Sequence, residues 1–385
     1  MKNIFLFILI AFSATLFGQS NEANVLIDKK IDAIPENLNS STTSISEYIS
    51  SNFKSDYDKI RAVFYWTSSN ISYDIERLSQ LKKTTLTEKE KIAKTLKSKK
   101  GVCEDYALIF NEIAALVGLK SFQIQGYTKQ NGKIGELSHA WCAAYIDKKW
   151  YLFDPTWGAG YVNKNIYSKK INNRFFMVAP EQMIQSHMPF DYLWQLTSNP
   201  INNQEFISGK IRVNTAKNEF NFTDEIIRYE TLSKVDAFFE SAQRIEKNGI
   251  KNQLILDAFN YAKEASKNER ENQNGDKFNK IVVQYNEAVN EFNDFVFFRN
   301  NKFKPSLPDE EIKAKITKPI DKFKKCQQDL YNLGSLSSNN IENVANLKKT
   351  IASQMIQLDI HLKFVNSYLS KGNLIRKTMF LKPTF

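Results

Sequence analysis

Three residues in separate stretches of the sequence, Cys103, His139 and Asp154, have the types and settings needed for acyl transfer through a thiol. Cys103 opens a stretch, Tyr106 to Val117, whose apolar residues recur at helical spacing and which stops at Gly118, a residue suited to a left-handed cap. A cysteine in the first turn of a helix has its thiolate favoured by the helix dipole and by backbone N–H groups that lack an intrahelical partner. His139 lies in Ser138-His139-Ala140-Trp141 on a predicted strand. Strand alternation puts His139, Trp141, Ala143 and Tyr145 on one face and Ala140, Cys142, Ala144 and Ile146 on the other. If Asp147-Lys148 is a two-residue hairpin loop, Ile146 pairs with Lys149 and Trp141 with Asp154, which makes Asp154 a diagonal neighbour of His139 on the same face. A three-residue loop would put Asp154 on the opposite face. In the two-residue register Cys103 attacks a carbonyl to form a thioester, His139 passes the proton to the leaving amine, and Asp154 fixes the tautomer of the ring. Replacing Asp154 by Ala is then expected to lower turnover strongly and leave folding largely intact.

The flanking carboxylates Glu104 and Asp105 would oppose a thiolate if they pointed inward, although acids in a first helical turn also stabilise the helix. Cys142 faces away from His139 and reads as core, and Cys326, among Lys322, Lys324 and Lys325, reads as structural. A Cys142–Cys326 disulfide stays open. His187, in His187-Met188-Pro189, is expected to mark a turn near the end of the core, and His361 to be a packing or surface residue. Trp141 and Trp157 flank the proposed strand ends and are assigned to the substrate cleft. The oxyanion hole needs the backbone N–H of Cys103 and a second donor that the sequence does not place.

Two helices are predicted between Ser44 and Arg77, interrupted near Asn52 to Asp56, and a short one over Thr87 to Leu96. Three short strands, Phe122–Thr128, His139–Ile146 and Trp150–Asp154, are separated by Asn131-Gly132 and Asp147-Lys148 and form an antiparallel sheet. A helix bearing a cysteine, followed by strands, is an α+β arrangement. Residues 205–224 read as a short β hairpin and linker, and 225–385 as an α-helical C-terminal domain.

The length, 385 residues, requires more than one domain, and 42% hydrophobic with 13% aromatic residues exclude disorder. Three cysteines exclude a disulfide scaffold, no spacing fits structural zinc, and no cofactor or metal is expected. The net charge of +11 is spread along the chain without a nucleic-acid-binding signature, so no nucleic-acid partner is expected. Residues 1–19, with Lys2 and the apolar run Ile4 to Phe12, read as a signal peptide, followed by a catalytic domain over 20–204. The run is shorter than the roughly 20 residues of a bilayer span, so the product is expected to be secreted or periplasmic, without stable membrane insertion after cleavage.

The stretches Gly101-Val102-Cys103, His139-Ala140-Trp141 and Phe153-Asp154-Pro155-Thr156-Trp157-Gly158 resemble the Cys, His and Asp motifs of the transglutaminase-like superfamily. Asp58 through Arg61, Trp66, Asn70 to Asp74, His187-Met188-Pro189, Trp194-Gln195-Leu196 and Glu205-Phe206 are similar to its kyphoscoliosis-peptidase-like branch, over about residues 40 to 207. The resemblance implies a papain-like core of N-terminal helices plus antiparallel sheet, a Cys103, His139 and Asp154 triad, and glutamine or peptide amides as substrate class. It implies a secreted cysteine peptidase or amidase acting on a protein or peptide. A catalytically silent binding protein on cell-wall or surface polymer and an amine-incorporating cross-linker are the alternatives. Val102 stands where cross-linking members usually carry Trp, and their extra β domains are not found, which favours hydrolysis.

Overall fold

The computed structural model describes residues 22–79, 86–211 and 219–380. The proposed signal peptide lies outside them. The chain divides into two compact units, one of residues 1–233 and 237–262, the other of residues 234–236 and 263–385.

The first unit begins with helix α1, residues 22–32, followed by α2 (Thr42–Asn52) and α3 (Asp56–Asn70). Ser41 and Ser55 cap α2 and α3, each accepting a backbone N–H three residues on, which is why the break falls at Phe53–Ser55 as the periodicity predicts. Strand β1 (Ser72–Tyr73) and the short helix α4 (Ile75–Ser79) come next. Helix α5 (Glu88–Ser98) opens with a Thr87–Glu90 capping box and leads into β2 (Lys100–Gly101), which runs parallel to β1. Cys103 then starts α6 (Cys103–Leu116), and Gly118, at φ +86°, turns the chain back toward the sheet.

The sheet contains β3 (Lys120–Gln130), β4 (Lys133–Ile146) and β5 (Lys149–Phe153) as predicted, and a fourth strand, β8 (His187–Pro189), that the sequence did not announce. Its order is β5-β4-β3-β8, antiparallel throughout. Both residues of each tight loop, Asn131-Gly132 and Asp147-Lys148, have positive φ, the geometry of two-residue hairpins. Ile146 therefore pairs with Lys149. Ala140, Cys142, Ala144 and Ile146 pack into one core with Ile49, Phe64, Trp66, Ile109 and Phe110 from α2, α3 and α6. Trp141 and Ala143 join a second core with Ile124, Leu152, Leu193 and Trp194.

After the sheet come helix α7 (Pro155–Ala159), the ribbon β6 (Gly160–Asn163) and β7 (Ile166–Lys169), and helix α8 (Pro180–Met183). Among the described residues of 205–224 no strand is found. Glu205–Ser208 belongs to α9 (Asn203–Ser208), because Asn202 and Glu205 form a capping box; Phe222 begins α10 (Phe222–Thr231). Residues 212–218 of that stretch lie outside the described ones. The boundary at 225 also shifts. Ile226 of α10 is buried beside Trp194, and Ala242 and Ile245 of α11 (Lys234–Lys247) pack with Tyr127, Met188 and Phe206.

The second unit is helical. It contains the later part of α12 (Gln253–Asn300), then α13 (Asp309–Tyr331), α14 (Ser338–Leu369) and α15 (Asn373–Thr378). Phe292, Phe295, Ile316, Phe323, Ile351 and Leu358 fill its core. No described helix is long and apolar enough to cross a membrane.

Candidate active site

Cys103 is the first residue of α6, delivered there by the parallel pair β1 and β2. Its backbone N–H is among those that the helix itself cannot satisfy. Gly101 keeps this approach tight, since a Cβ there would stand 2.8 Å from the Cβ of Asp105. The neighbouring carboxylates do not oppose a thiolate unscreened. Asp105 accepts the Val102 N–H at 2.8 Å and forms an ion pair with Arg77, and Glu104 pairs with Lys91 at 2.8 Å. Cys103 is half-buried, whereas Cys142 and Cys326 are buried and all three thiols are free. The Cys142–Cys326 disulfide is therefore not formed, and both residues lie in separate apolar cores.

Strand β5 stops opposite Cys142, which leaves His139 on a stretch of β4 that β5 does not cover. Asp154, fully buried, is the residue after β5 and caps α7: its Oδ1 accepts the backbone N–H groups of Thr156 at 2.9 Å and Trp157 at 3.0 Å. That cap turns Oδ2 to the imidazole. The Nε2–H of His139 donates to it at 2.7 Å, and the Nε2–H of His187 donates to the same oxygen at 3.0 Å. Nδ1 is then the nitrogen of His139 left to face Cys103, which lies close enough to act on the charge of that ring. The structure thus brings the three sequence-derived residues together, in the order thiol, imidazole, carboxylate.

Charge follows from these contacts. Burial works against a charged His139, yet the charge and hydrogen bond of Asp154, followed by the nearby Cys103, hold its pKa well above the ordinary imidazole value. Burial alone would raise Asp154, but its bonds to His139 and then His187 keep the carboxyl well below the usual range. His187 goes the other way: burial dominates the help it receives from Asp154 and lowers its pKa, which favours the neutral ring. The phenol of Tyr73 on β1 is pushed upward by burial and then by its neighbours Cys103 and Asp154, and keeps its proton beside them.

His139, Asp154 and His187 offer metal-type donor atoms within 4.8 Å of one another. One carboxylate oxygen lies 2.7 Å from the His139 nitrogen and 3.0 Å from the His187 nitrogen, and the cluster reads as a hydrogen-bonded chain.

His187, which the sequence reading places at a turn near the end of the core, also reaches the site through Asp154. It sits on β8, opposite Thr128 of β3, and is 1% exposed. The scarcity of histidine, three in the chain, was the available signal. The tryptophans divide. Trp157 is half-buried, its ring 5.5 Å from that of His139 and 4.5 Å from that of His187, and it borders the site. Trp141 is 1% exposed and belongs to the second core of the sheet, so the expectation that it lines the cleft is corrected. The face it shares with His139 is covered by Leu193, Trp194 and Ile226. His361 packs edge-on against Phe292 and Phe295 and bonds Arg299 at 2.8 Å.

Residues 43–155 match the model of the transglutaminase-like superfamily, a span that holds all three residues of the Cys103 chain. The segment is a transglutaminase-like domain. The chain is 30% identical over 160 residues to kyphoscoliosis peptidase of Mus musculus, covering 40% of this chain and 24% of that protein. To kyphoscoliosis peptidase of Homo sapiens it is 32% identical over 160 residues, 39% of this chain and 23% of that protein. To the Lim and transglutaminase domain protein ltd-1 of Caenorhabditis elegans it is 23% identical over 227 residues, 54% of this chain and 29% of that protein. These likenesses place the transglutaminase-like domain in the kyphoscoliosis peptidase branch. The chain spans about a quarter of the length of these relatives. The domain has mixed helix and sheet, and a helical region follows it.

Proposed function

We propose that the first unit is a cysteine peptidase or amidase that cleaves amide bonds of a protein or peptide through a Cys103 thioester. The observation that carries this reading is the single chain of contacts from Cys103 through the His139 ring to Asp154 Oδ2. In the first half-reaction Sγ adds to the carbonyl carbon, the C–N bond breaks, and the imidazolium of His139 gives its proton to the departing amine. In the second, water adds to the thioester while His139 takes its proton, and the C–S bond breaks to release acid and restore the thiolate. Asp154 stabilises the imidazolium in both halves and holds Nδ1 toward sulfur. Trp157 walls the cleft beside the reacting carbonyl. No metal enters these steps. The proposed site of action is outside the cytoplasm, from the apolar start of the sequence, with surface polymer as a further partner.

Iodoacetamide at neutral pH tests the thiol, with intact-mass readout and Cys103→Ala as control. Cys103 is expected to react at least tenfold faster than Cys142 and Cys326; equal slow labelling of all three would leave a binding protein that has kept the fold. Hydrolysis is separated from cross-linking by supplying a labelled primary amine with a glutamine-bearing protein: release of ammonia or new amino termini without incorporated label supports the proposal, and incorporation overturns its hydrolytic half.

A further inference from the structure

Asp154 Oδ2 accepts two hydrogen bonds from two imidazoles, and a Cys-His-Asp relay uses only one of them. The second ring, His187, is as buried as the carboxylate it touches. Its Nδ1 lies 2.8 Å from Ser186 Oγ, so that a neutral ring donating from Nε2 accepts the Ser186 hydroxyl at Nδ1, and both nitrogens are satisfied in one tautomer. The titratable groups that face His187 are Asp154 and His139; the rings of Trp141, Trp157 and Phe175 form the rest of its surroundings. His139 in turn faces Asp154 and Cys103.

We propose that His187 is a positioning residue for this centre: by donating Nε2–H to the oxygen that also holds His139, it fixes the carboxylate and draws off part of its charge, so that His139 releases its proton more readily. The inference rests on the proposed acyl-transfer reading. A carboxylate that serves one ring grips the imidazolium proton tightly, and an imidazolium gripped too tightly is a poor acid toward the leaving amine. A second neutral donor weakens that grip without removing the negative charge that orients the ring. Burial suits His187 to this task, because a charged second ring would take the carboxylate for itself.

The test uses the whole chain and needs no substrate. With three histidines in the sequence, histidine-selective 15N and 13C labelling gives three ring systems, assigned by replacing His361 and His187 in turn. In the wild type His187 should remain a neutral Nε2–H tautomer from pH 6 to 10, while His139 titrates above the ordinary imidazole value. His187→Phe keeps ring bulk among the aromatic neighbours and removes the donor; the His139 midpoint should rise by about half a pH unit or more. His187→Gln, whose amide N–H replaces Nε2–H, should bring it back toward the wild-type value. An unmoved His139 midpoint in folded His187→Phe overturns the proposal, as does a charged His187 at neutral pH. If His187→Phe does not fold, the wild type still decides: the His187 Nε2–H signal must shift as His139 titrates, and a signal blind to that titration overturns it. A wild-type His139 with no raised midpoint would instead remove the acyl-transfer reading itself.

Discussion

Asp154 does two things with one side chain, and this alters what its removal should do. Oδ1 caps α7 and Oδ2 gathers two imidazoles, so Asp154→Ala leaves two backbone N–H groups and two ring N–H groups without their acceptor in a buried place. The expectation from sequence, lost turnover with folding largely intact, therefore gives way to a loss of both: orphaned buried donors cost about 1–3 kcal/mol each, and a fall of several kcal/mol follows from relaxation of only some of them. Asp154→Asn keeps a capping carbonyl and a similar shape while removing the charge. It should fold, lose activity by orders of magnitude, and reveal the ion pair through pH. A histidine whose folded pKa is raised contributes stability in full below its unfolded value of 6.5, and that contribution fades as pH rises through the raised folded value. The stability advantage of wild type over Asp154→Asn, read from urea unfolding at pH 6.5 to 10, should accordingly shrink toward alkaline pH; a constant or growing advantage would mean that His139 carries no extra proton in the fold.

The elements explain why some of the site was legible and some was not. The His139–Asp154 contact could be derived because one local rule, the two-residue loop at Asp147-Lys148, fixes a register and a period of two carries it to both residues. Cys103 was legible for a similar local reason, a cysteine ahead of a helical stripe. His187 was not, because its three-residue strand has no periodicity and its partner, β3, is far away in sequence. What admits β8 is a missing side chain. Gly126 of β3 pairs with His139 on one side and Pro189 on the other, and a Cβ there would lie 2.1 Å from the Met188 carbonyl oxygen and 2.5 Å from the Trp141 ring. Backbone cannot yield as a flexible side chain can. Gly126→Ala should therefore push β8 away, cost on the order of 2–4 kcal/mol in urea unfolding, and free the His187 ring from Asp154 in the histidine spectrum. A change below about 0.5 kcal/mol would mean that the sheet absorbs the methyl and that His187 is held by something other than this close approach.

At the scale of the molecule, amphipathic helices show in the sequence that they pack but not what they pack against, and this is why the division placed at 224/225 runs ahead of the structural one. The first unit extends, apart from residues 234–236, to Ala262. The ion pair between Arg244 of α11 and Asp191, with nitrogen–oxygen distances of 2.7 and 2.9 Å, lies inside that unit, and Asp191 also caps the turn carrying Leu193 and Trp194. A chain ending at residue 224 would strip Ile226, Ala242, Ile245 and Ile255 from the cores around the sheet and leave Asp191 buried without its cation. Burial of one such isoleucine contributes about 1.5–3 kcal/mol, and breaking a buried ion pair by removing one partner costs about 3–5 kcal/mol; summed over Ile226, Ile245, Ile255 and the pair, the loss is comparable to the whole stability of an ordinary domain, about 5–15 kcal/mol. Residues 22–224 should then be insoluble or molten, whereas residues 22–262 should unfold cooperatively and keep the reactivity of Cys103 toward iodoacetamide. The discriminating measurement is denaturant unfolding of the two fragments side by side: cooperative unfolding of the shorter one with full stability would return α10 and α11 to the C-terminal helices, and failure of both would make the second unit part of what the catalytic fold requires.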